Sequence, residues 1–325
     1  MRVTSMFLRI FLMACTALTA SAAAWAGIYP ERAVRIIVPV AAGGGTDYSA
    51  RAIAHKLSTA LGQSVVVENR PGASGNIGAE QIARAAPDGY TLGMPITSFP
   101  VNPSLYSKLP FDTVQDFAPV VLVGTLPLVL VVHPSVPAQN TAALIALARK
   151  TPGSINFANA GNGTTAHLAG ELFKRMAGIE LVGVNYKGGG PAVTDLLGGQ
   201  VQMYFATLPS VLPHIQAGKL RALAVTGKER LSELPDVPTV AESGVPGFEV
   251  TAWFGLFAPA GTPEPIIHRL NAEVVKILHS AEMQKSLPQH GILPAGGTPQ
   301  ALGRHLREEI EKWRGVVKDA GIRVD

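Results

Sequence analysis

The sequence predicts an α/β protein built as two lobes, each a mostly parallel sheet covered by helices, and three observations predict it. Apolar, β-branched runs alternate with helix-period patterns along the chain. Three of those runs break into a polar glycine loop that opens a helix, the arrangement that leaves free N–H groups and the positive end of a helix dipole at one point. The chain has 325 residues, 47% of them apolar, enough to fill two modest cores more naturally than one large one.

The first unit reads strand Arg35–Val40, helix Asp47–Leu61 with Ala50, Ile53, Ala54 and Leu57 on its inner face, and strand Ser64–Glu68. A helix over Gly75–Ala85 and a strand over Tyr90–Met94 follow, Pro87-Asp88-Gly89 marking the turn between them. After an irregular stretch from Pro95 to Pro119, Leu126–Val132 is a long apolar strand. The second unit reads helix Thr141–Lys150, strand Ile155–Ala158, helix Ala166–Ala177, strand Val182–Tyr186, helix Ala192–Leu197, and strands Val201–Ala206 and Leu220–Thr226. The last part carries a proline-rich connection over Leu234–Gly247, an aromatic strand Thr251–Ala258, a helix Pro265–Leu278 and a final amphipathic helix Thr298–Ala320. The spacing of Leu302, Leu306, Ile310 and Trp313 docks that last helix against a lobe.

Arg2 and Arg9 precede an alanine-rich apolar run ending Ala24-Trp25-Ala26, with no acid before Glu31, which reads as an export signal spanning 1–26 and cleaved after Ala26. No later segment approaches membrane-spanning length. The single cysteine, Cys15, falls inside that leader, so neither thiol chemistry nor a disulfide scaffold is expected of the exported form. Without Arg2 and Arg9 the 27 cations fall to 25 against 23 acids, a net charge of +2. Those cations are scattered and only 6% of residues are aromatic, so no nucleic-acid partner is expected.

The candidate site residues follow from the three junctions. In the first, Arg35–Arg51, Gly43, Gly44 and Gly45 let the backbone approach a bound anion and Thr46 or Asp47 can cap the helix. Asp47 is open to two readings, a structural cap or the orderer of a bridging water. The second loop runs Asn159 to Thr165 and includes Gly161, Thr164 and Thr165. The third runs Tyr186 to Pro191 and includes Gly188 and Gly189. Thr97 and Ser98, after the third strand, complete the set. Tyr186 suits packing or a ligand contact, and Lys187 a solvated surface or a ligand contact.

Three enzyme readings compete. Gly161-Asn162-Gly163-Thr164-Thr165-Ala166 satisfies a dinucleotide fingerprint, but Val182–Tyr186 ends without the acid that would hold a ribose. His167 and Glu171, one helical turn apart, could begin a metal site, yet no third ligand is placed, and no cofactor or metal is expected. Ser74 in Gly72-Ala73-Ser74-Gly75 is one residue short of a nucleophile elbow and suits a helix cap before Gly75 instead; an exported serine hydrolase stays as the alternative.

PVAAGGGTDYSAR, VVVENRPGASGNIGAEQIARAAPDGYTLGM, PLVLVVHPSVP, NYKGGGPAVTDLLGGQV, LRALAVTGKERLSELPDVPTVAESG and WFGLFAPAGTP together resemble the tripartite tricarboxylate transporter receptor family, the Bug-type periplasmic solute-binding proteins. The likeness runs over the whole exported chain in order, and it implies ligand contacts at Gly43, Gly44 and Asp47, along Asn159 to Thr165 and Tyr186 to Pro191, and at Asp195 in the helix that follows. It implies a hinged, two-lobed periplasmic binding protein of type II fold, lobe 1 from 27–124 plus 225–325 and lobe 2 from 125–224. It implies a small carboxylate ligand (a dicarboxylate, a tricarboxylate, an amino acid or an aromatic acid), no catalysis, a monomer, and a periplasmic role feeding an inner-membrane transporter or a signalling system. The family commonly has acids in the strand that here reads VQMYFAT; Gln202 and Ala206 stand there, which favours ligands without an amine. Cleavage after Ala26 is checked by intact mass of the exported chain; a lipidated N-terminus at Cys15 would overturn it.

Overall fold

The computed structural model describes residues 29–40, 42, 45–161, 163–186, 188–319 and 321, so the expected leader lies outside the described residues. Strand β1 (Val34–Val38) lies between β2 (Val65–Asn69) and β3 (Thr91–Gly93) and is parallel to both. Its side chains alternate between two cores. Val34, Ile36 and Val38 join a cluster with Ile53 and Leu57 of α1 (Gly45–Leu61), while Ile37 joins Ala79 and Ile82 of α2 (Asn76–Ala83) on the other face. A sheet buried on both faces is what a continuous β-branched run specifies. Phe99, Phe117 and Phe257 meet edge to face on the second face, Phe99 and Phe117 with centroids 4.8 Å apart.

The chain then passes a short helix, α3 (Asn102–Leu105), into the 16-residue strand β4 (Phe117–Val132). Residues 117–127 pair antiparallel with β9 (Thr251–Pro259), and residues 122–125 with β10 (Leu293–Gly296) on the other edge. From Leu128 onward the partners change to β7 (Met203–Thr207) and β8 (Arg221–Val225). The far side of β7 carries β5 (Asn156–Asn159) and then β6 (Val182–Asn185), both parallel. Each lobe is therefore parallel in its three outer strands and antiparallel where β4 runs through, more mixed than alternating β-α patterns convey.

Four helices serve the second lobe: α4 (Thr141–Lys150), α5 (Thr165–Ala177), α6 (Gly189–Leu197) and α7 (Leu208–Gln216). Its core includes Phe157, Phe173, Phe205 and all of Leu128–Val132, and it draws Val240, Val245, Phe248 and Val250 from beyond residue 224. The proline-rich connection that supplies those last residues has no periodicity to mark them as core. Where the lobes meet, the Thr226 hydroxyl accepts from Leu128 N (2.7 Å), Thr226 N donates to Leu128 O (2.9 Å), and Val250 N donates to Thr226 O (3.0 Å).

Beyond β9 come α8 (Glu264–Leu278), α9 (Ala281–Ser286), β10 and the 21-residue α10 (Pro299–Asp319). The docking stripe of α10 divides. Leu302, Leu306 and Ile310 enter a first-lobe core, and Trp313, Val316 and Val317 enter the second.

Several elements were not apparent in the sequence. The first half of β4 contains Pro119 and Gly124, beside which the register with β9 slips twice. Helix α7 carries Pro209 in its first turn and Pro213 inside; a proline near the start loses no intrahelical bond. Among the packed positions, Gly170 of α5 is the tightest test of the second lobe, since a Cβ there would stand 2.2 Å from Phe157 Cε2. Gly170→Ala should cost about 1–3 kcal/mol through forced repacking, read by urea unfolding; an unchanged midpoint would show the α5–β5 approach to be looser than described.

Candidate functional site

The three glycine junctions occupy equivalent places, each just past the carboxyl end of a parallel strand: β1 into α1, β5 into α5, and β6 into α6. Gly43 and Gly44 lie outside the described residues, as do Asn162 and Lys187. Gly45 begins α1, and a Cβ on it would stand 3.4 Å from Phe254 Cζ and 3.8 Å from Leu126 Cδ2. Thr46 and Asp47, 8% and 4% exposed, lie in the first turn of the helix and not at its N-cap position, correcting that expectation. Asp47 Oδ1 accepts from Asn69 Nδ2 at 2.9 Å, and Arg51 reaches both carboxylate oxygens at 3.0 Å. A buried acid beside an anion-friendly helix start thus has its charge compensated locally.

In the second loop, buried Asn159 accepts the Gly161 N–H on Oδ1 (3.0 Å) and the Tyr186 N–H on its backbone oxygen (3.0 Å), which ties the second loop to the third. Gly161 has φ 124°, open only to glycine at low cost. Thr164 is the N-cap of α5: its Oγ accepts from His167 N (3.4 Å) and its hydroxyl donates to Gly161 O (2.7 Å). Thr165 is the first helical residue. His167 is itself buried and accepts the Gly163 N–H on Nδ1 (3.1 Å); burial holds its pKa below the ordinary value, so it braces the loop as a neutral ring. Glu171 is taken by Lys174 (2.8 Å). Among the described residues no group of three or more His, Cys, Asp or Glu could hold a metal.

In the third loop, Gly188 is the N-cap of α6 with φ 113° and Gly189 the first helical residue, a Cβ on which would lie 3.4 Å from Tyr204 OH. Pro191 is exposed in the first turn. The Tyr186 hydroxyl donates to Asp195 Oδ2 at 2.9 Å, which engages both candidates with each other. Burial, then the Asp195 hydrogen bond and charge, push the Tyr186 phenol up to about 12; burial alone does the same for Tyr204.

A fourth group joins Ser74 and the candidate Ser98, next to the candidate Thr97, to Asn102 and Tyr106, which the sequence reading did not name. Four consecutive residues, Gly72 to Gly75, have positive φ, among them Ala73 (46°) and Ser74 (52°), conformations that cost non-glycine residues of order 1 kcal/mol or more and cluster at functional sites. Ser74 does not cap α2, correcting that expectation: the N-cap is Gly75, in the left-handed region and without a side-chain bond. The Ser74 carbonyl instead accepts from the Ser98 hydroxyl (2.7 Å) and Asn102 Nδ2 (3.2 Å), and its Oγ accepts from the Tyr106 hydroxyl (3.0 Å). Thr97 and Ser98 are buried beside it. Tyr106 packs against the second-lobe core, as do Val101 and Leu105. A Cβ on Gly163 would come within 2.8 Å of Leu105 Cδ1, so this segment brings the first lobe's polar turns to the second lobe's loop. The quoted GASGN motif was the available signal, and nothing in it announces left-handed backbone at Ala73 and Ser74.

Two α/β lobes joined by a shared strand, with glycine loops at the carboxyl ends of their parallel strands, define the periplasmic-binding class of solute receptors. The chain belongs to the family described as "Tripartite tricarboxylate transporter family receptor", which it matches over residues 49–322. It is 42% identical over 301 residues to Protein BugT of Bordetella pertussis, covering 92% of each chain. Among solved structures, R. palustris Rpa4515 with adipate is 41% identical with a TM-score of 0.80, covering 91% of this chain and all of that one. MatC of Rhodopseudomonas palustris with bound malate is 35% identical with a TM-score of 0.75, covering 89% and 100%. The periplasmic binding protein BugD is 37% identical with a TM-score of 0.76, covering 91% and 100%.

Because both phenols are held protonated, the stability carried by Tyr186 and Tyr204 is fully present below the ordinary value of 10.0 and is lost as pH rises through about 12. Ultraviolet titration of the folded chain should show Tyr186 and Tyr204 ionising near pH 12 and buried Tyr29 later still, with one fewer near 12 in Tyr186→Phe; ionisation of all tyrosines near 10 would contradict these environments.

Proposed function

We propose that this chain is an exported receptor that captures a small carboxylate between its two lobes and presents it to a membrane transporter of the tripartite tricarboxylate type. The observation that carries the reading is the repeated junction: three helix starts, each opened by glycines at the end of a parallel strand, in a family with relatives solved holding adipate and malate. Helix starts supply N–H donors and a positive dipole end, so a carboxylate needs no dedicated arginine. The donors are the N–H groups around Gly43 to Thr46, those of Thr164 and Thr165, and those of Gly188 and Gly189. The ion pair of Asp47 with Arg51 and its hydrogen bond from Asn69 offset a buried negative charge at the first loop that would otherwise repel the ligand.

The chain works as a binder and a monomer, and its place is the periplasm, after removal of residues 1–26. Among the described residues no helix is long and apolar enough to cross a membrane. The expected bounds, 27–124 plus 225–325 for lobe 1 and 125–224 for lobe 2, are revised to a crossing at Leu126–Leu128 on the way out and at Val250–Thr251 on the return, because Val240, Val245, Phe248 and Val250 pack in the second core. Ala206, fully buried in β7, presents no acid to a ligand ammonium, which favours dicarboxylates without an amine. Against the hydrolase alternative, the Ser74 hydroxyl has Tyr106 as its partner and no histidine, and its backbone bonds hold it in a turn. Closure is driven by whatever extra contact the ligand makes with the second lobe.

Adipate and malate are the probes. At about a thousand times the dissociation constant, a ligand of the native state adds roughly 4 kcal/mol, a rise of several degrees in melting temperature. Gly189→Val should abolish binding in calorimetry and leave the melting temperature of the free chain unchanged, since φ at Gly189 is ordinary and its Cβ position is uncrowded. Lys187→Ala should change affinity little. Loss of binding in Lys187→Ala with retention in Gly189→Val would replace the helix-start mechanism by a charge pair.

A further inference from the structure

Two adjoining cavities, about 540 and 240 Å³, lie where the lobes join, and among the described residues none of the glycine loops lines either. Strand alternation says which side they are on. In β4, Leu126 points to Gly45 while Thr125 and Pro127 line the smaller cavity; in β9, Phe254 points to Gly45 while Thr251 and Trp253 line that cavity. The glycine loop of the first lobe and the cavities therefore occupy opposite faces of the crossing strands. The larger cavity is walled by Leu172, Arg175 and Met176 of the second lobe's α5 and by His305, Glu308 and Lys312 of α10; Leu293 of β10 and Trp253 close the smaller one from the first lobe.

The lining has an apolar part and a charge imbalance. Trp253 and His305 meet edge to face at 5.0 Å, and both Trp253 Nε1 and His305 Nε2 are buried without a hydrogen-bond partner among the described residues. Met176 and Leu293 are 38% and 37% exposed, unusual for large apolar side chains. Every lining cation already has an acid: Arg175 has Asp319 (3.1 Å), Lys228 has Glu249 (3.5 Å) and Lys312 has Glu309 (3.0 Å). Among the described residues Glu308 and Glu229 pair with no cation, and burial lowers the His305 pKa, so the ring adds no positive charge. An ammonium with an apolar, ring-sized body suits the acidic and apolar parts of this lining: Glu308 or Glu229 for its charge, His305 Nε2 to accept one of its N–H groups, Trp253 for an aromatic contact, and thioether and isobutyl groups for its body.

We propose that this rear cavity is a second binding site, for a small arylalkyl or alkyl amine, and that filling it favours closure of the lobes over the glycine loops. A molecule wedged between α5 and the β10–Trp253 wall separates the lobes behind the crossing strands, and rotation about those strands brings the opposite faces together. The coupling is reciprocal: cleft ligand tightens the amine and amine tightens cleft ligand by the same factor. The site itself stands without the carboxylate reading; only the affinity arm of the test rests on it.

2-Phenylethylamine is the probe and phenylacetate its charge-reversed control. Trp253 and Trp313 both lie at the site or beside it, so saturable binding should appear in calorimetry together with a change in tryptophan emission. Glu308→Gln and Met176→Trp, both at exposed positions that tolerate substitution, should each weaken it about tenfold or more, and phenylacetate should give no binding that these variants alter. With the amine bound, X-ray scattering should report a smaller radius of gyration, and malate or adipate should bind about fivefold tighter. No saturable amine binding, or binding that both variants retain, overturns the site. Binding with an unchanged radius of gyration overturns the coupling. Failure of malate and adipate to bind at all would fall on the carboxylate reading and leave the amine and scattering arms to decide this one.

Discussion

Strand β4 is the constraint on which the molecule rests. It is long enough to be a central strand of both lobes at once, trading β9 and β10 for β7 and β8 at Leu128. The Thr226 hydroxyl clasps the exchange point, satisfying the Leu128 N–H where the ladder changes partners. A buried backbone donor left open there would cost about 1–3 kcal/mol, so one side chain lets a continuous strand serve two sheets. With all of Leu128–Val132 at most 2% exposed, the strand is anchored in the second core as firmly as in the first. Relative motion of the lobes must then be a bend or twist of β4 and its return neighbour.

Much of this was legible in the residues. Helix Thr141–Lys150 falls where its cap and periodicity place it, because Asn140 accepts from Ala143 N and the apolar stripe is regular. Strand β1 is legible because its continuous β-branched run suits a sheet buried on both faces. The unread parts share a cause: their signals are overridden by tertiary pairing. Pro119 and Gly124 deny β4 a strand-like first half locally, yet β9 holds that half through two register slips. Phe248 and Val250 have no period to mark them, and join the second core only because Val250 N reaches Thr226 O.

The candidate site was legible at the level of loops and not of side-chain partners. Glycine after a β-branched run reports a close approach of backbone, so the junctions at Gly45, Gly161 and Gly188 were visible in one dimension. That Asp47 would be neutralised by Arg51 one turn on was readable as i,i+4 spacing. Asn69, its other partner, arrives from β2 and leaves no local trace. The Ser74–Ser98–Tyr106 group is assembled from residues 24 and 32 apart, with Tyr106 supported by the opposite lobe.

The insertion of one lobe within the other sets an order of assembly. Strands β5 to β8 lie between residues 156 and 225, so the middle of the chain can collapse around much of its core, which Val240, Val245, Phe248 and Val250 and then Trp313, Val316 and Val317 complete. The amino-terminal portion has no such freedom. Until β9 emerges more than 150 residues later, β3 has no neighbour on its outer side, and an open sheet edge of that kind is both slow to close and prone to pair with the wrong chain. The last part of the protein to be made is therefore what completes the first, and a nascent chain stays short of its final form until nearly all of it is present.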